Sequence, residues 1–196
     1  MAGNRIMRGG AVRRALALTL VAATLALALA ACGRGSGDTG AATGAEERAA
    51  DAAILDEVLS RQLGVVAAYR QPMIVIDHRT LLLLRKFRAQ EGEHADAVVK
   101  ALRGLGESAK AEPEVIRVGA LKTRRDRLRF VYEMERATIA LELGAIAKLS
   151  SPGTRSMLAA TVGNQSEHLA ILRQLLGANP LRSVPNSFET GATPAP

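Results

Sequence analysis

The chain has a single cysteine and no tryptophan, and two tyrosines and three phenylalanines are its whole aromatic content. One thiol excludes an internal disulfide and a cysteine-pair zinc site. So few aromatics leave little to stack on nucleic-acid bases. β-Branched runs are rare, which argues against a sheet-built fold. No glycine-rich phosphate loop and no serine in a nucleophile elbow is present, so nothing points to nucleotide or hydrolase chemistry. What remains is rich in Ala and Leu. At 48% apolar over 196 residues, the chain is long enough for one domain with a core of helices packed on helices.

The first 31 residues read as a signal peptide rather than as part of the fold. A basic start, with Arg5, Arg8, Arg13 and Arg14, precedes an apolar run from Ala15 to Ala31. That layout is a targeting pattern, and the run is marginal in length for a membrane span. Its end, Leu29-Ala30-Ala31-Cys32, resembles the lipobox of bacterial lipoproteins. The resemblance implies cleavage before Cys32, a lipid on its thiol, and anchoring to the outer face of the cell membrane. Removing the segment takes away four arginines and no acid, so the net charge falls from +7 to +3. A residual +3 is not a nucleic-acid footprint, and no nucleic-acid partner is expected.

Residues 32–45, rich in Gly and Ser, are expected to be a flexible tether, and residues 179–196, rich in Pro, an irregular tail. Between them, 46–178 reads as four helices. The first spans about Glu46–Arg70 and stops at Pro72. The second spans about Arg79–Leu105, with Gly104 and Gly106 at its end. The third spans about Arg124–Leu149. The fourth starts from a Ser150 or Ser151 cap with Pro152 in its first turn, and ends at Gly177. Each carries one apolar stripe at helical spacing, which predicts an all-α, antiparallel four-helix bundle. The connection at 106–123, between the second and third helices, is long enough to cross the bundle.

The stripes carry an anomaly. Gln62, Glu91, His94, Glu135, Gln165 and His168 fall on core faces near mid-helix, where an antiparallel bundle brings them to one level. An isolated carboxylate there costs several kcal/mol unless it is paired or bound to a cation. Glu91 and His94, three residues apart, put oxygen and nitrogen donors on one helix face, which suits a metal inside a bundle. AQEGEHADAVVKAL in the second helix is echoed by GNQSEHLAILRQLL in the fourth. The chain thus reads as two helical hairpins related by a pseudo-twofold. Glu93 and Glu167 point away from the stripes and read as solvated acids. His78 reads as a surface or capping residue. Tyr69 and Tyr132 read as core rings with bonded hydroxyls, and the basic run Lys122–Arg129 as a solvated face.

These segments resemble the ferritin-like superfamily, and more closely the exported ferritin-like domain proteins of actinobacteria and their relatives. The resemblance lies in VVAAY, FRAQEGEHADAVVKALRGLG, YEMERATIA with KLSSP, EHLAILRQLLG and the closing VPNSFETG, and spans about residues 50–190. It implies a four-helix bundle with a long crossover. In the di-iron members each half supplies one Glu, then a Glu-x-x-His. Glu91, His94, Glu135 and His168 match that pattern, while Gln62 and Gln165 stand where it has glutamates.

Two of four carboxylates are therefore amides, which are neutral, weaker ligands that do not bridge two metals. Glu142, two turns along the stripe from Glu135, and Glu57 are candidate replacements. Three readings follow: a full dinuclear centre, a single metal ion (Fe, Mn or Zn) held by Glu91, His94, Glu135 and His168, or a metal-free polar layer that fixes helix register. The first two imply metal binding or oxidation of Fe(II). The last implies a non-enzymatic envelope lipoprotein that serves in structure or interaction.

Overall fold

The computed structural model describes residues 37–74 and 76–179, with side chains from residue 44. The signal peptide, Cys32, the first part of the tether and the tail beyond Asn179 lie outside the described residues. Two units divide the chain, Met1–Glu46 and Glu47–Pro196, and the bundle belongs to the second.

Four helices are present and no strand among the described residues: α1 (Gly37–Ala68), α2 (His78–Gly104), α3 (Arg124–Lys148) and α4 (Pro152–Leu175). None is long and apolar enough to cross a membrane. α1 begins at Gly37 rather than at Glu46, so the second part of the expected tether is helical. The alanines at 41, 42 and 45 are the strongest helix formers, and they offset the glycines beside them.

The other boundaries follow local chemistry. The Asp77 carboxylate caps α2 by accepting from the Thr80 amide at 2.9 Å. Thr123 and Asp126 form a reciprocal capping box at the start of α3, and Ser151 caps α4 with Pro152 behind it. His78 is the exposed first residue of α2 and takes no part in the cap. α2 and α4 end alike. Gly106 and Gly177 adopt φ of 84° and 96°, and the amides of Glu107 and Ala178 return to the Leu102 and Arg173 carbonyls. That left-handed turn costs glycine little and other residues more. The matching ends support the two-hairpin reading.

α1 lies against α3, through Arg61–Thr138 and Gln62–Glu142, and α2 lies against α4, through Gln165–Glu91. The crossover, residues 105–123, runs along α1. The Glu114 amide donates to the Ser60 carbonyl at 2.9 Å, and the Ser60 hydroxyl to the Glu112 carbonyl at 2.6 Å. The Arg61 guanidinium binds the Glu114 carboxylate, the Thr138 hydroxyl and the Met134 carbonyl, tying α1, α3 and the crossover together.

The core has two parts. One gathers Val65, Tyr69, Leu84, Phe87, Leu128, Val131, Tyr132 and Leu172. The other gathers Leu55, Leu59, Val98, Leu102, Leu149 and Leu158. Each buried Leu or Val contributes about 1.5–3 kcal/mol. Every helix passes from one cluster to the other at its polar stripe residues. The two cores therefore hold that level in place from both sides.

Candidate metal centre

Between the two clusters lie Gln62, Glu91, Glu135, Glu142, Gln165 and His168, all essentially removed from solvent. Glu91, Glu135 and His168 converge: each offers a ligand atom, and these atoms lie within 4.8 Å of one another. His168 Nδ1 is 3.3 Å from Glu135 Oε1 and 3.4 Å from Glu91 Oε1. Donor atoms bound tetrahedrally to one ion at about 2.1 Å sit about 3.4 Å apart.

The imidazole is held from its other sides. Its Nε2 faces Gln90 Oε1 at 3.1 Å, and its ring stacks on Phe87 with centroids 3.9 Å apart. A proton on Nε2 donated to Gln90 leaves Nδ1 to face the carboxylates. This second-sphere contact is the kind that orients a metal-binding histidine. The Tyr69 hydroxyl donates to Glu135 Oε1. Tyr69 therefore has the bonded hydroxyl expected of it, and its acceptor is a layer acid.

The other residues of the layer are arranged differently. His94 is partly exposed, and its Nδ1 meets only Glu91, at 3.4 Å from Oε2. The arrangement of Glu91, His94, Glu135 and His168 as one ligand set is thus not what the packing brings together: His94 lies outside the converging group. It sits one turn along α2 from Glu91, whereas His168 reaches Glu91 and Glu135 from the facing helix. Gln165 Nε2 donates to Glu91 Oε2 at 3.1 Å, and Gln62 Nε2 donates to Glu142 Oε1. Glu142 belongs to the layer, while Glu57 is exposed and does not. Glu93 and Glu167 are exposed.

Charge in the layer is strongly shifted. Burial pushes the Glu142 carboxyl up to about 8. Burial and the Glu91 charge raise Glu135. Burial also acts to raise Glu91, but hydrogen bonds from His168 and His94 outweigh it and hold Glu91 below its ordinary value. Burial acts against the His168 imidazolium, yet its hydrogen bonds to Glu135 and Glu91 prevail and raise it to about 9. Burial, then the Glu135 charge, raises Tyr69 well above the usual phenol. Around neutral pH, the imidazolium of His168 is the cation the layer supplies for itself.

One test of fit to a metal comes from what the layer leaves unsatisfied. Among the described residues, five buried side-chain oxygens lack a hydrogen-bond partner, and four belong to this layer: Gln62 Oε1, Glu135 Oε2, Glu142 Oε2 and Gln165 Oε1; Glu91 Oε1 has only the long approach of His168 Nδ1 at 3.4 Å. Among the described residues, no buried side-chain nitrogen is left without a partner. The layer has acceptors in excess of donors, which is the deficit a cation fills. Sequence reasoning missed Gln90, which lies off the core stripe, and Arg61, a long basic residue that reads as solvated until its three acceptors are seen. It also missed the buried Asp51, which accepts from the Ser150 and Ser151 amides at 2.8 and 3.0 Å.

A four-helix bundle with carboxylates and a histidine converging at mid-height defines a class of carboxylate-rich helical proteins. The ferritin-like domain matches residues 39–178 as a sequence family, and the chain belongs to that family. A solved structure of a ferritin-like, diiron-carboxylate protein from Bacillus anthracis strain Ames is similar in fold, with a TM-score of 0.58 at 16% identity. The match covers 67% of this chain and 98% of that one. No protein of curated function matches the sequence.

Proposed function

We propose that this protein is a lipid-anchored, extracytoplasmic ferritin-like protein of the actinobacterial type, and that it binds a divalent metal ion at a site derived from a di-iron centre. The observation that carries the metal reading is the convergence of Glu91, Glu135 and His168 within 4.8 Å in a fully buried layer. The neighbour from Bacillus anthracis, a diiron-carboxylate protein by its title, supports iron as a candidate, and Mn or Zn suits the same oxygen and nitrogen donors. Glu91 and Glu135 would hold the ion with their carboxylate oxygens and His168 with Nδ1. A bound metal supplies Lewis acidity or, for iron, redox capacity. His168 Nδ1 would release its proton to solvent to offer its lone pair to the ion, while Gln90 Oε1 holds the ring through Nε2. Tyr69 fixes the Glu135 carboxylate. The lipobox-like Leu29–Cys32 supports the membrane anchor.

A metal-free layer is the second reading, and a specific observation favours it. The amide nitrogens of Gln165 and Gln62 already donate to Glu91 and Glu142, and protonated His168 balances a carboxylate. On that reading the layer sets helix register in an envelope module of structural or interaction type.

Elemental analysis of the full-length chain, purified in detergent without chelator and titrated anaerobically with Fe(II), Mn(II) and Zn(II), separates the two. Near-stoichiometric metal that is lost in Glu91→Ala and His168→Ala establishes the site. A folded wild-type protein with no metal above background at every titration point establishes the register reading.

A further inference from the structure

The basic run at the start of α3, a solvated face by its sequence, does not stand alone in the fold. Arg124 shows where it sits. Its Nε donates to the Asp77 carboxylate at 3.0 Å, its Nη2 to the Thr80 hydroxyl at 3.2 Å and its Nη1 to the Leu175 carbonyl at 3.4 Å. Arg88 of α2 donates to the Val66 carbonyl at 3.0 Å, near the finish of α1. The finish of α1, the starts of α2 and α3 and the finish of α4 therefore meet at one end of the bundle.

The segments that build this end, 69–86, 120–131 and 171–179, carry ten lysines and arginines against two acids. The rest of residues 33–196 carries twelve against seventeen. The modest +3 of that stretch hides a separation, with +8 at this end and −5 elsewhere. Two helix N-termini and two C-termini meet here, so their dipoles oppose one another and the field comes from side chains. Both acids are committed, Asp77 to Thr80 and Arg124, and Asp126 to the capping box of α3. Arg79, Arg85, Lys86 and Arg125 are exposed, and none is paired with an acid among the described residues.

The same end exposes apolar surface. Ile74 and Leu82 are 56% and 51% exposed, two of the five large apolar side chains in solvent among the described residues. Leu82 opens onto a cleft of about 620 Å³, where Leu82, Leu83 and Leu175 lie beside Arg79, Lys86 and Arg124. A polyanion without apolar parts matches only the cations. A lipid surface matches both, with phosphates for the charged heads and acyl chains for the leucines.

We propose that this end of the bundle docks on an anionic phospholipid surface, with Arg79, Lys86 and Arg125 at the phosphates and Leu82 and Ile74 entering the acyl boundary. The inference rests neither on a lipid at Cys32 nor on a metal in the polar layer. Charge draws the end to the bilayer and is screened by salt, while the apolar pair adds a contact that is not electrostatic.

The full-length chain carrying Cys32→Ala and Leu82→Cys has its only thiol at position 82. It is labelled there with a polarity-sensitive dye and reconstituted into liposomes of phosphatidylcholine alone or of equimolar phosphatidylcholine and phosphatidylglycerol. The emission is expected to move to the blue in the anionic liposomes only, and to be quenched there by spin-labelled acyl chains. The same dye placed through Leu143→Cys, at an exposed leucine toward the other end of α3, is expected to shift in neither. Arg79→Gln with Lys86→Gln should lower the ratio of docked to free chains about twenty-five-fold, each cation at an anionic surface being worth about fivefold. Emission that is the same in both liposomes overturns the proposal. So does an equal shift from position 143, or from the chain with both glutamine substitutions. A shift in neutral liposomes that grows with the amount of protein per lipid assigns the face to a second copy of the chain. Reversal by inorganic phosphate, but not by chloride of equal ionic strength, assigns it to a small soluble anion. Either result overturns the proposal as well.

Discussion

Single residues in this protein do work that their neighbours in sequence do not reveal. His94 and His168 occupy equivalent places in the repeat, yet one is partly exposed with a single acid beside it, and the other is buried between two acids, a glutamine and a phenyl ring. Asp77 is a second case. Hydrogen bonds from the Thr80 hydroxyl and amide, then from Arg124, hold its carboxyl well below the ordinary value of 3.8. A carboxyl lowered by folding adds stability that is present above its unfolded pKa and lost as the pH falls through its folded one. Asp77→Asn keeps a capping side chain and removes the charge. Its melting temperature should lie below wild type at pH 7, and the gap should narrow as the pH is lowered from about 4 to 2.5. Thermal denaturation followed by circular dichroism across that range checks it. A gap that stays constant would show that the charge contributes nothing.

At the scale of elements, the crossover is strapped to α1 rather than looped away from it. Gly64 is the reason it fits. A Cβ there would stand 2.5 Å from the Glu114 carbonyl oxygen, a backbone atom that cannot swing aside. Gly64→Ala should therefore destabilise the protein by about 1–3 kcal/mol, the usual cost of overpacking, although alanine is the better helix former by about 1 kcal/mol. Chemical denaturation measures the loss. Equal or greater stability in the variant would mean that the strap moves off α1 without cost. Hydrogen exchange at the Glu114 amide, which donates to Ser60, would rise in the variant if the strap is displaced. The helices themselves were legible: apolar stripes, caps at Ser151 and glycines at 106 and 177 marked them, because these signals are local. The strap was not legible beyond its length, because residues 106–123 have no periodicity and its hydrogen bonds go to a helix distant in sequence.

At the scale of the whole molecule, the chain combines a ferritin-like bundle with an N-terminal segment that reads as a lipoprotein signal. Cys32 is the only thiol, so the anchoring proposal has a clean test. Cells expressing the full chain and fed a labelled fatty acid should label this protein, and intact mass should show residues 1–31 removed and a lipid added. Cys32→Ala should carry no label. Equal labelling in that variant, or an unmodified Cys32 in wild type, would refute the anchor. A lipid-anchored chain stays at the membrane by buried methylenes, so the bundle itself needs no spanning helix, and none of the described helices qualifies as one.

The sequence by itself determined the helices, their stripes, the long connection and the set of polar residues on core faces. Helical periodicity and capping act over a few residues and are written into neighbouring positions. It also marked the two amides, since residue identity needs no fold. Only the tertiary structure decided how the layer is divided. The separation of His168 from His94, the bond from Gln62 to Glu142, and the hold of Gln90, Phe87 and Tyr69 on the converging group all depend on which helix faces which. Two helices with the same pattern, Glu91–His94 and Gln165–His168, receive different environments because α3 presents Glu135 to His168, whereas His94 meets Glu91 of its own helix. Side-chain chemistry is local, but desolvation and coupling between charges are properties of the packed bundle.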